Sequence, residues 1–201
     1  MPARRTIAFA LPTLALAAAA HAQMPGEVII EVDAPVLAPG ESTTVRLWAG
    51  FDSNVDFAVA GIATSLLADS GGVDITDAWS DVGLVFPMNG PGTSSGLPVS
   101  GGYAGIIAGQ LHDPFAPRFT DTSDPIAFWE ATFTAPWDAG AFEVDLSTQT
   151  NRFEVYLSPD SRRSESRMAG LTEGAATIFV VPAPASAAVL ALGLAGVRRR
   201  R

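Results

Sequence analysis

The stretch that decides the fold is IAFWEATFTA, residues 126–135 of a 201-residue chain. Two sets of residues alternate along it: Ala127, Trp129, Ala131 and Phe133 on one side, and Phe128, Glu130, Thr132 and Thr134 on the other. A period of two places such sets on opposite faces of a β-strand. Pro136 then ends the strand, because proline cannot donate to a sheet ladder. The stretch predicts a strand that buries Trp129 and Phe133 and turns Phe128 outward.

The same period of two recurs on both sides of this stretch. Apolar residues recur at every second position in four further runs, residues 28–33, 45–51, 142–147 and 152–158. Residues 175–181 form a β-branched run. The sequence Ala38-Pro39-Gly40-Glu41 is typical of a turn between strands. The apolar run 57–67 fits either a buried strand or a short helix, and we interpret it as a strand.

Many strands and no capped helical period predict an all-β domain. The expected fold class is an antiparallel β-sandwich of the immunoglobulin-like or jelly-roll kind. Residues 87–102 hold five glycines and three prolines and predict a long loop. The predicted core contains Trp129, Phe133, Phe142, Val144, Phe153 and Val155.

The first 22 residues have the three parts of an export signal. Arg4 and Arg5 are followed by an uncharged, mainly apolar stretch over residues 7–20. The small residues Ala20 and Ala22 then predict cleavage between Ala22 and Gln23. Fourteen helical residues span about 21 Å, which is short of the roughly 30 Å hydrocarbon core of a membrane. We therefore expect a helical signal peptide that is removed, rather than a retained anchor.

The C-terminal end has a second three-part pattern. A Pro-x-Pro motif is followed by the apolar stretch 187–197 and by a terminal basic cluster. This order resembles the PEP-CTERM sorting signal, in which Ala183 here replaces the usual glutamate between the two prolines. The resemblance implies recognition by exosortase, a membrane protease-transpeptidase. It assigns the sorting motif to Val181, Pro182, Ala183 and Pro184 and the basic tail to Arg198, Arg199, Arg200 and Arg201.

The length of the tail supports transient attachment to a membrane. Residues 185–197 are uncharged and would span about 20 Å as a helix, which is marginal for a permanent transmembrane segment. A terminal arginine cluster would stay on the cytoplasmic side, as the positive-inside rule expects. The expected organisation is a signal peptide over residues 1–22, a β-sandwich domain over 23–180 and a sorting tail over 181–201. The expected location is outside the cell or in its envelope.

Charge and cysteine content exclude several classes of function. The chain has 21 acidic and 12 basic residues, and six of the basic residues lie in the two ends. The middle therefore carries a net charge of about −15, which repels nucleic acid and anionic lipid. The chain has no cysteine, which excludes disulfides and thiol chemistry. Its stability must come from a buried core.

The search for catalytic residues favours a protein that is not an enzyme. Residues 92–96 match Gly-x-Ser-x-Gly, but that motif acts only between a strand and a helix, and a glycine-rich loop surrounds it here. His112 lies beside Asp113 and Pro114 and is interpreted as a loop residue rather than a base. Three further residues, Arg162, Arg163 and Arg167, lie in the polar loop 158–170. They are interpreted as surface residues, with docking of an anionic group as the alternative.

Aspartate clusters raise the question of calcium. Asp69, Asp74, Asp77 and Asp81 crowd one loop, and Asp121 and Asp124 flank another. Carboxylates are the ligands that calcium prefers, but the spacing is not that of an EF-hand. Aspartate also hydrogen-bonds its own backbone in turns. We therefore expect no cofactor and interpret these residues as turn residues, with calcium as the alternative.

Three aromatic residues fall on the outward side of the predicted strands: Trp48, Phe128 and Tyr156. Exposed flat rings are typical of sugar-binding surfaces, and exposed apolar patches mark interaction sites. The alternative is that loops or a second sheet cover the three rings, since large aromatic residues are mostly buried.

The domain resembles cohesin-like sandwiches in two features. These are the Pro39-Gly40 turn near its start and the pattern of residues 128–133 followed by residues 142–157. The resemblance implies a module that binds protein or carbohydrate rather than catalyses. Our leading hypothesis is an exported structural or adhesive protein of the cell envelope or extracellular matrix, and a carbohydrate-binding module is the alternative. The expected partners are an exosortase-like protease and exopolysaccharide or other envelope components.

Overall fold

The structure, a computed structural model, describes residues 26–85, 95–116, 120–138 and 140–181. These residues form two packed β-sheets, so the predicted all-β sandwich is confirmed. The expected signal peptide, with Ala22 and Gln23, lies outside the described residues. So do Pro182, Ala183, Pro184, the apolar part of the tail and the basic residues Arg198 to Arg201.

Eleven strands and one short 3₁₀ helix make up the described part of the chain. The strands are β1 (Glu27–Val32), β2 (Val36–Leu37), β3 (Ser42–Gly50), β4 (Ala58–Asp69), β5 (Trp79–Gly83), β6 (Ser95–Val99), β7 (Gly102–Gly109), β8 (Ile126–Thr134), β9 (Phe142–Tyr156), β10 (Glu165–Ser166) and β11 (Ala175–Val180). The 3₁₀ helix spans Thr76–Ala78. The smaller sheet has the order β1-β3-β8-β5, and the larger has β2-β11-β9-β4-β7-β6, with β10 on β9. Neighbouring strands are antiparallel except for β2 and β11.

The core lies between the two sheets and contains most of the residues predicted to fill it. Trp129, Phe133 and Phe153 are fully buried, and Val144 and Val155 lie with them. Phe142 is half-buried and packs against this cluster. Because successive side chains of a strand point to opposite faces, the alternation in the sequence becomes one apolar layer per sheet.

A β-bulge in β8 overturns the predicted orientation of Phe128. Leu47 of β3 pairs with Trp129, but the next residue, Trp48, pairs with Ala127, so Phe128 is the extra residue. An extra residue shifts the alternation of side chains by one position. Phe128 and Trp129 consequently both point into the core, and Phe128 is 1% exposed. The prediction that Phe128 faces outward is wrong for this reason.

A second correction concerns residues 142–158, where the sequence indicates a pair of strands. The structure has one strand of 15 residues, β9. Asn151 is its extra residue, since Ala63 of β4 pairs with Arg152 while Thr64 pairs with Thr150. The bulge shifts the buried positions from even to odd numbers, which in the sequence looks like the start of a new strand.

Strands β5, β6 and β7 do not follow from the pattern of the sequence. Strand β6 lies inside residues 87–102, which the sequence predicts to be a loop. It contains Pro98 and Gly96, two residue types that are rare in strand interiors. Strand β7 is interrupted by a bulge at Gly105, whose φ is 66°. Glycine adopts that backbone conformation without strain, and the bulge removes the regular alternation that marks a strand.

Replacing Phe133 with alanine tests the assignment of the core. The side chain is fully buried, so we expect the free energy of unfolding to fall by about 3–5 kcal/mol. Phe115→Ala is the matched control, because Phe115 is 84% exposed, and its effect should stay within about 0.5 kcal/mol. Urea denaturation followed by circular dichroism measures both. Equal losses for the two variants would contradict the assignment.

Candidate interaction surface

The outer face of the smaller sheet is polar and internally paired. Arg46 of β3 lies at its centre, with its guanidinium 3.2 Å from both Glu31 and Glu130 and 3.8 Å from Asp33. Burial by itself would lower the pKa of Arg46, but its hydrogen bonds to Glu130 and Glu31 outweigh burial and raise the pKa. Trp48 lies beside this network and donates its indole N–H to Glu31 at 2.7 Å. These side chains satisfy one another, so this face offers few free groups to a ligand.

The outer face of the larger sheet is different, because its β4, β7 and β6 portion is apolar. Four exposed residues lie there: Leu67 on β4, Ile107 on β7, and Leu97 and Val99 on β6. Leu67 and Val99 both pair with Gly102, so they lie in one row across the three strands. Leu97 is 71% exposed and Ile107 is 45% exposed. We call these four residues the apolar face.

Glycine residues on β7 lie in the middle of the apolar face. Gly102 and Gly109 of β7 lie so close to the backbone of β4 that a methyl group would press on the carbonyl oxygens of Leu66 and Ala60. The central strand therefore has no side chain at these positions. The result is a shallow trough between Leu67 on one strand and the two β6 residues on the other. Glycine allows the backbones of β7 and β4 to approach closely at these two positions.

Polar residues border the apolar face on β9. Arg152 pairs in register with Ala63 of β4, and its guanidinium contacts Glu154 at 2.8 Å. The hydrogen bond from Arg152 lowers the pKa of Glu154. Burial opposes this shift, and a hydrogen bond from Ser164 adds to it. An apolar centre with a charged rim is the usual organisation of a protein interface.

The three rings predicted to form a sugar platform lie in three different places. Trp48 is half-buried on the outer face of the smaller sheet, and Phe128 lies in the core. Tyr156 points outward from the larger sheet but is 8% exposed, because the loop after β7 covers it. Its hydroxyl donates to the Gln110 carbonyl and accepts from the backbone N–H of His112, both at 3.2 Å. A shared exposed platform is therefore wrong, and covering by a loop is confirmed for Tyr156.

His112 has a structural role in the same loop, as the sequence predicts. Its Nδ1 lies 2.7 Å from the Thr120 hydroxyl and its Nε2 lies 2.7 Å from the Pro159 carbonyl oxygen. Nε2 donates to the Pro159 carbonyl oxygen, because a carbonyl oxygen can only accept. The ring packs edge-on against Phe57. Both nitrogens are engaged in holding loops together.

The aspartates considered for calcium cap turns of the backbone. Asp69, Asp74 and Asp121 each accept a hydrogen bond from the N–H two residues ahead. Asp124 accepts from the backbone N–H of Phe51 at 3.0 Å. This is the turn role that the sequence favours. In the described part of the chain, no three acidic or histidine side chains are placed to share a metal ion. Asp77 is exposed, and the side chain of Asp81 lies outside the described part of the structure.

The Gly-x-Ser-x-Gly motif leads into a strand. Residues 92–94 lie outside the described ranges, and Ser95 and Gly96 begin β6. Gly96 has a φ of 85°. A nucleophile elbow requires a helix at this position, where its N-terminus supports the oxyanion. The strand therefore excludes that geometry and agrees with the interpretation of the motif as incidental.

Arg167 is bound to an anionic group inside the domain rather than to a ligand. Its Nη2 and Nε donate to the two carboxylate oxygens of Asp56 at 2.8 and 3.2 Å. The side chain of Asp56 is 2% exposed, and that of Arg167 is 13% exposed. The hydrogen bond to Asp56 raises the pKa of Arg167. Arg162 and Arg163 are exposed, and the Arg162 guanidinium lies 5.5 Å from the ring centre of Phe115.

Comparison with known proteins establishes the fold. No family model and no curated protein matches the chain. The seventh ScaB type I cohesin from Pseudobacteroides cellulosolvens is similar in structure, with a TM-score of 0.52 and 17% identity over 79% of this chain and 94% of that one. The domain is thus a cohesin-like β-sandwich.

Two other cohesins align with lower scores. A cohesin module from a Clostridium perfringens family 33 glycoside hydrolase has a TM-score of 0.46 and 10% identity, covering 80% of this chain and 99% of that one. A cohesin from a type I cohesin–dockerin complex of Clostridium thermocellum has a TM-score of 0.43 and 11% identity, covering 76% and 99%.

Within the described residues, no helix has the length and apolar character needed to cross a membrane.

Removing the guanidinium of Arg167 should destabilise the domain strongly. Arg167→Ala leaves the Asp56 carboxylate buried without its partner, so we expect a loss of about 3–5 kcal/mol in unfolding free energy. Arg152→Ala is the matched control, because its pair with Glu154 lies at the surface and should be worth about 1 kcal/mol or less. Urea denaturation at pH 7 measures the loss of unfolding free energy in each variant. A similar small loss for both would show that the Asp56 pair is not structural.

Proposed function

We propose that this protein is an exported, non-catalytic adhesion or scaffolding module that binds another protein through the apolar face. The observation that supports this most directly is the cluster of Leu67, Leu97, Val99 and Ile107 on one side of the larger sheet. Contiguous exposed apolar residues with a polar rim are typical of interaction sites in soluble proteins. The cohesin-like fold supports the same class of function by analogy of fold.

The shape and chemistry of this surface favour a protein partner over a small ligand. The apolar face combines exposed aliphatic side chains on two strands with glycines on the strand between them, whereas small molecules are usually enclosed by concave pockets. Its centre has no charged side chain, so binding would gain from the burial of apolar area. Arg152 and Glu154 at the rim would then contribute to specificity.

Export and sorting belong to the same proposal. The signal peptide over residues 1–22 would direct the chain out of the cytoplasm. The motif from Val181 to Pro184 and the arginines at positions 198–201 would pass the exported domain to an exosortase-like protease. This arrangement would deliver the binding module to the cell envelope or the extracellular matrix. Exopolysaccharide and other envelope components are the further partners of the proposal.

Two charges placed on the apolar face should abolish binding. Three proteins are used to capture binding partners from the envelope fraction of the source organism. They are the wild type, the double variant Leu97→Asp/Ile107→Asp, and the control Val36→Asp. Val36 is exposed and apolar but lies on β2, at the far edge of the same sheet. We expect the wild type and the control to capture the same protein and the double variant not to capture it, because buried charges without partners oppose association.

The captured protein is then purified and titrated against the domain. A saturable complex that keeps the same sensitivity to the double variant supports the proposal. Capture that is insensitive to the double variant, or recovery of polysaccharide alone, contradicts it. Melting temperatures of the three proteins show whether each variant is folded.

Intact-mass measurement of the native extracellular material tests processing. We expect a mature chain that starts at Gln23 and ends near Pro184 or Ala185. Replacing the four terminal arginines with serine should weaken retention at the membrane, because those charges oppose translocation of the end. Recovery of secreted protein with Arg201 still attached would sink the sorting part of the proposal and leave the binding part untouched.

A further inference from the structure

An exposed indole ring lies at one end of the sandwich, just beyond β8. Trp137 follows Pro136 and is 78% exposed. Large aromatic side chains are mostly buried on average, and the core of this domain does not include the ring. An exposed aromatic ring that is held in one place offers a flat apolar surface to a ligand.

The turn at Gly40 holds the ring in place. The benzene part of the indole lies so close to Gly40 that any Cβ there would overlap it, and Gly40 has a φ of 81°. Two backbone hydrogen bonds fix this contact: Gly40 N–H donates to the Ala135 carbonyl at 2.8 Å, and Ala135 N–H donates to the Glu41 carbonyl at 2.9 Å. Part of the ring thus rests on the turn while the rest is open. A ring that is fixed before binding loses little entropy on binding.

A groove of about 270 Å³ runs beside the ring. Its lining consists of Asp74, Asp77, Ala78, Thr134, Ala135, Pro136 and Trp137. This volume is below the range of about 300–1,000 Å³ for pockets that enclose a whole ligand. The groove is open to solvent, so it fits one unit of a longer chain.

The polar groups of the groove are mainly acceptors. Asp74 receives a hydrogen bond from the Thr76 backbone at 3.0 Å, and the bonds from Thr76 lower its pKa. Its carboxylate is therefore ionised at neutral pH, and the residue is exposed. Asp77 supplies another exposed carboxylate. A ligand that matches the groove presents a flat apolar face to the indole and hydroxyl donors to these oxygens.

We propose that this groove binds one pyranose residue of an uncharged polysaccharide. The C–H face of the sugar stacks on Trp137, and its hydroxyl groups donate to Asp74 and Asp77. A basic peptide side chain would meet the same groups, but ion pairs between fully exposed charges contribute little. The contact with the indole therefore dominates, and it favours a ligand with a broad apolar face. The site does not depend on the proposed protein-binding function.

Affinity electrophoresis of the mature exported protein tests the site. Native gels contain hydroxyethyl cellulose, galactomannan or dextran as the uncharged probe. We expect at least one polymer to retard the wild type, and Trp137→Ala to weaken that affinity at least about tenfold. Trp48→Ala is the matched control, because its ring lies on the outer face of the smaller sheet, and it should bind like the wild type. Retardation by none of the polymers, or equal retardation of Trp137→Ala, overturns the proposal.

A second pair of measurements separates sugar from a basic segment. Asp74→Asn/Asp77→Asn keeps one acceptor oxygen on each side chain and removes its charge. Since the contact with the indole dominates, sugar binding should change by less than about threefold and should persist in about 0.5 M NaCl. The cationic probe is the peptide acetyl-Arg-Arg-amide, followed by tryptophan fluorescence. The proposal is overturned if the peptide binds, if salt and the double variant both abolish that binding, and if no polysaccharide retards the protein. That result would assign the groove to a basic protein segment. None of these variants alters Leu97 or Ile107, so the two functions fail or hold separately.

Discussion

The edge-to-face contact between Trp129 and Tyr103 joins the two sheets at the centre of the domain. Trp129 belongs to β8 of the smaller sheet and Tyr103 to β7 of the larger, and their ring centres are 5.2 Å apart at an interplanar angle of 65°. Trp79 contacts both Tyr103 and Phe133, so the ring cluster continues across the sandwich. A chain with no cysteine has no disulfide to hold its sheets together. Aromatic packing therefore carries that role.

The β-bulges in the two sheets allow large side chains such as these rings to point into the core. The extra residue at Phe128 lets two consecutive large side chains of β8 point inward. The bulge at Gly105 keeps both Tyr103 and Ile106 of β7 on the inner side, although an odd number of positions separates them. The outer side of β7 is then left with glycine, alanine and Ile107. The same strand thus completes the core and creates the apolar face.

The sequence predicts the fold where alternation is unbroken and fails where a bulge breaks it. Strands β1, β3 and β8 follow from a period of two, β11 follows from a β-branched run, and the turn at residues 38–41 follows from its proline and glycine. Phe128 is misassigned because a bulge cannot be read from residue types. The apolar face is missed because β6 and β7 are rich in glycine, which in a sequence is typical of loops. Trp137 lies outside any periodic run, so its exposure becomes visible only when the Gly40 turn is placed against it.

The distribution of charge limits the kind of ligand that each surface of the domain can bind. Arg46, Arg152 and Arg167 are each paired with carboxylates of their own domain. The end of the sandwich around Trp137 has carboxylates at positions 74 and 77 and no arginine in its lining. An anionic polymer is therefore repelled there, whereas an uncharged one meets an aromatic ring and hydrogen-bond acceptors. The apolar face has no net charge at its centre, so association there would be governed by shape and buried area. A module that keeps these two surfaces apart has room to contact a protein and a polysaccharide at the same time.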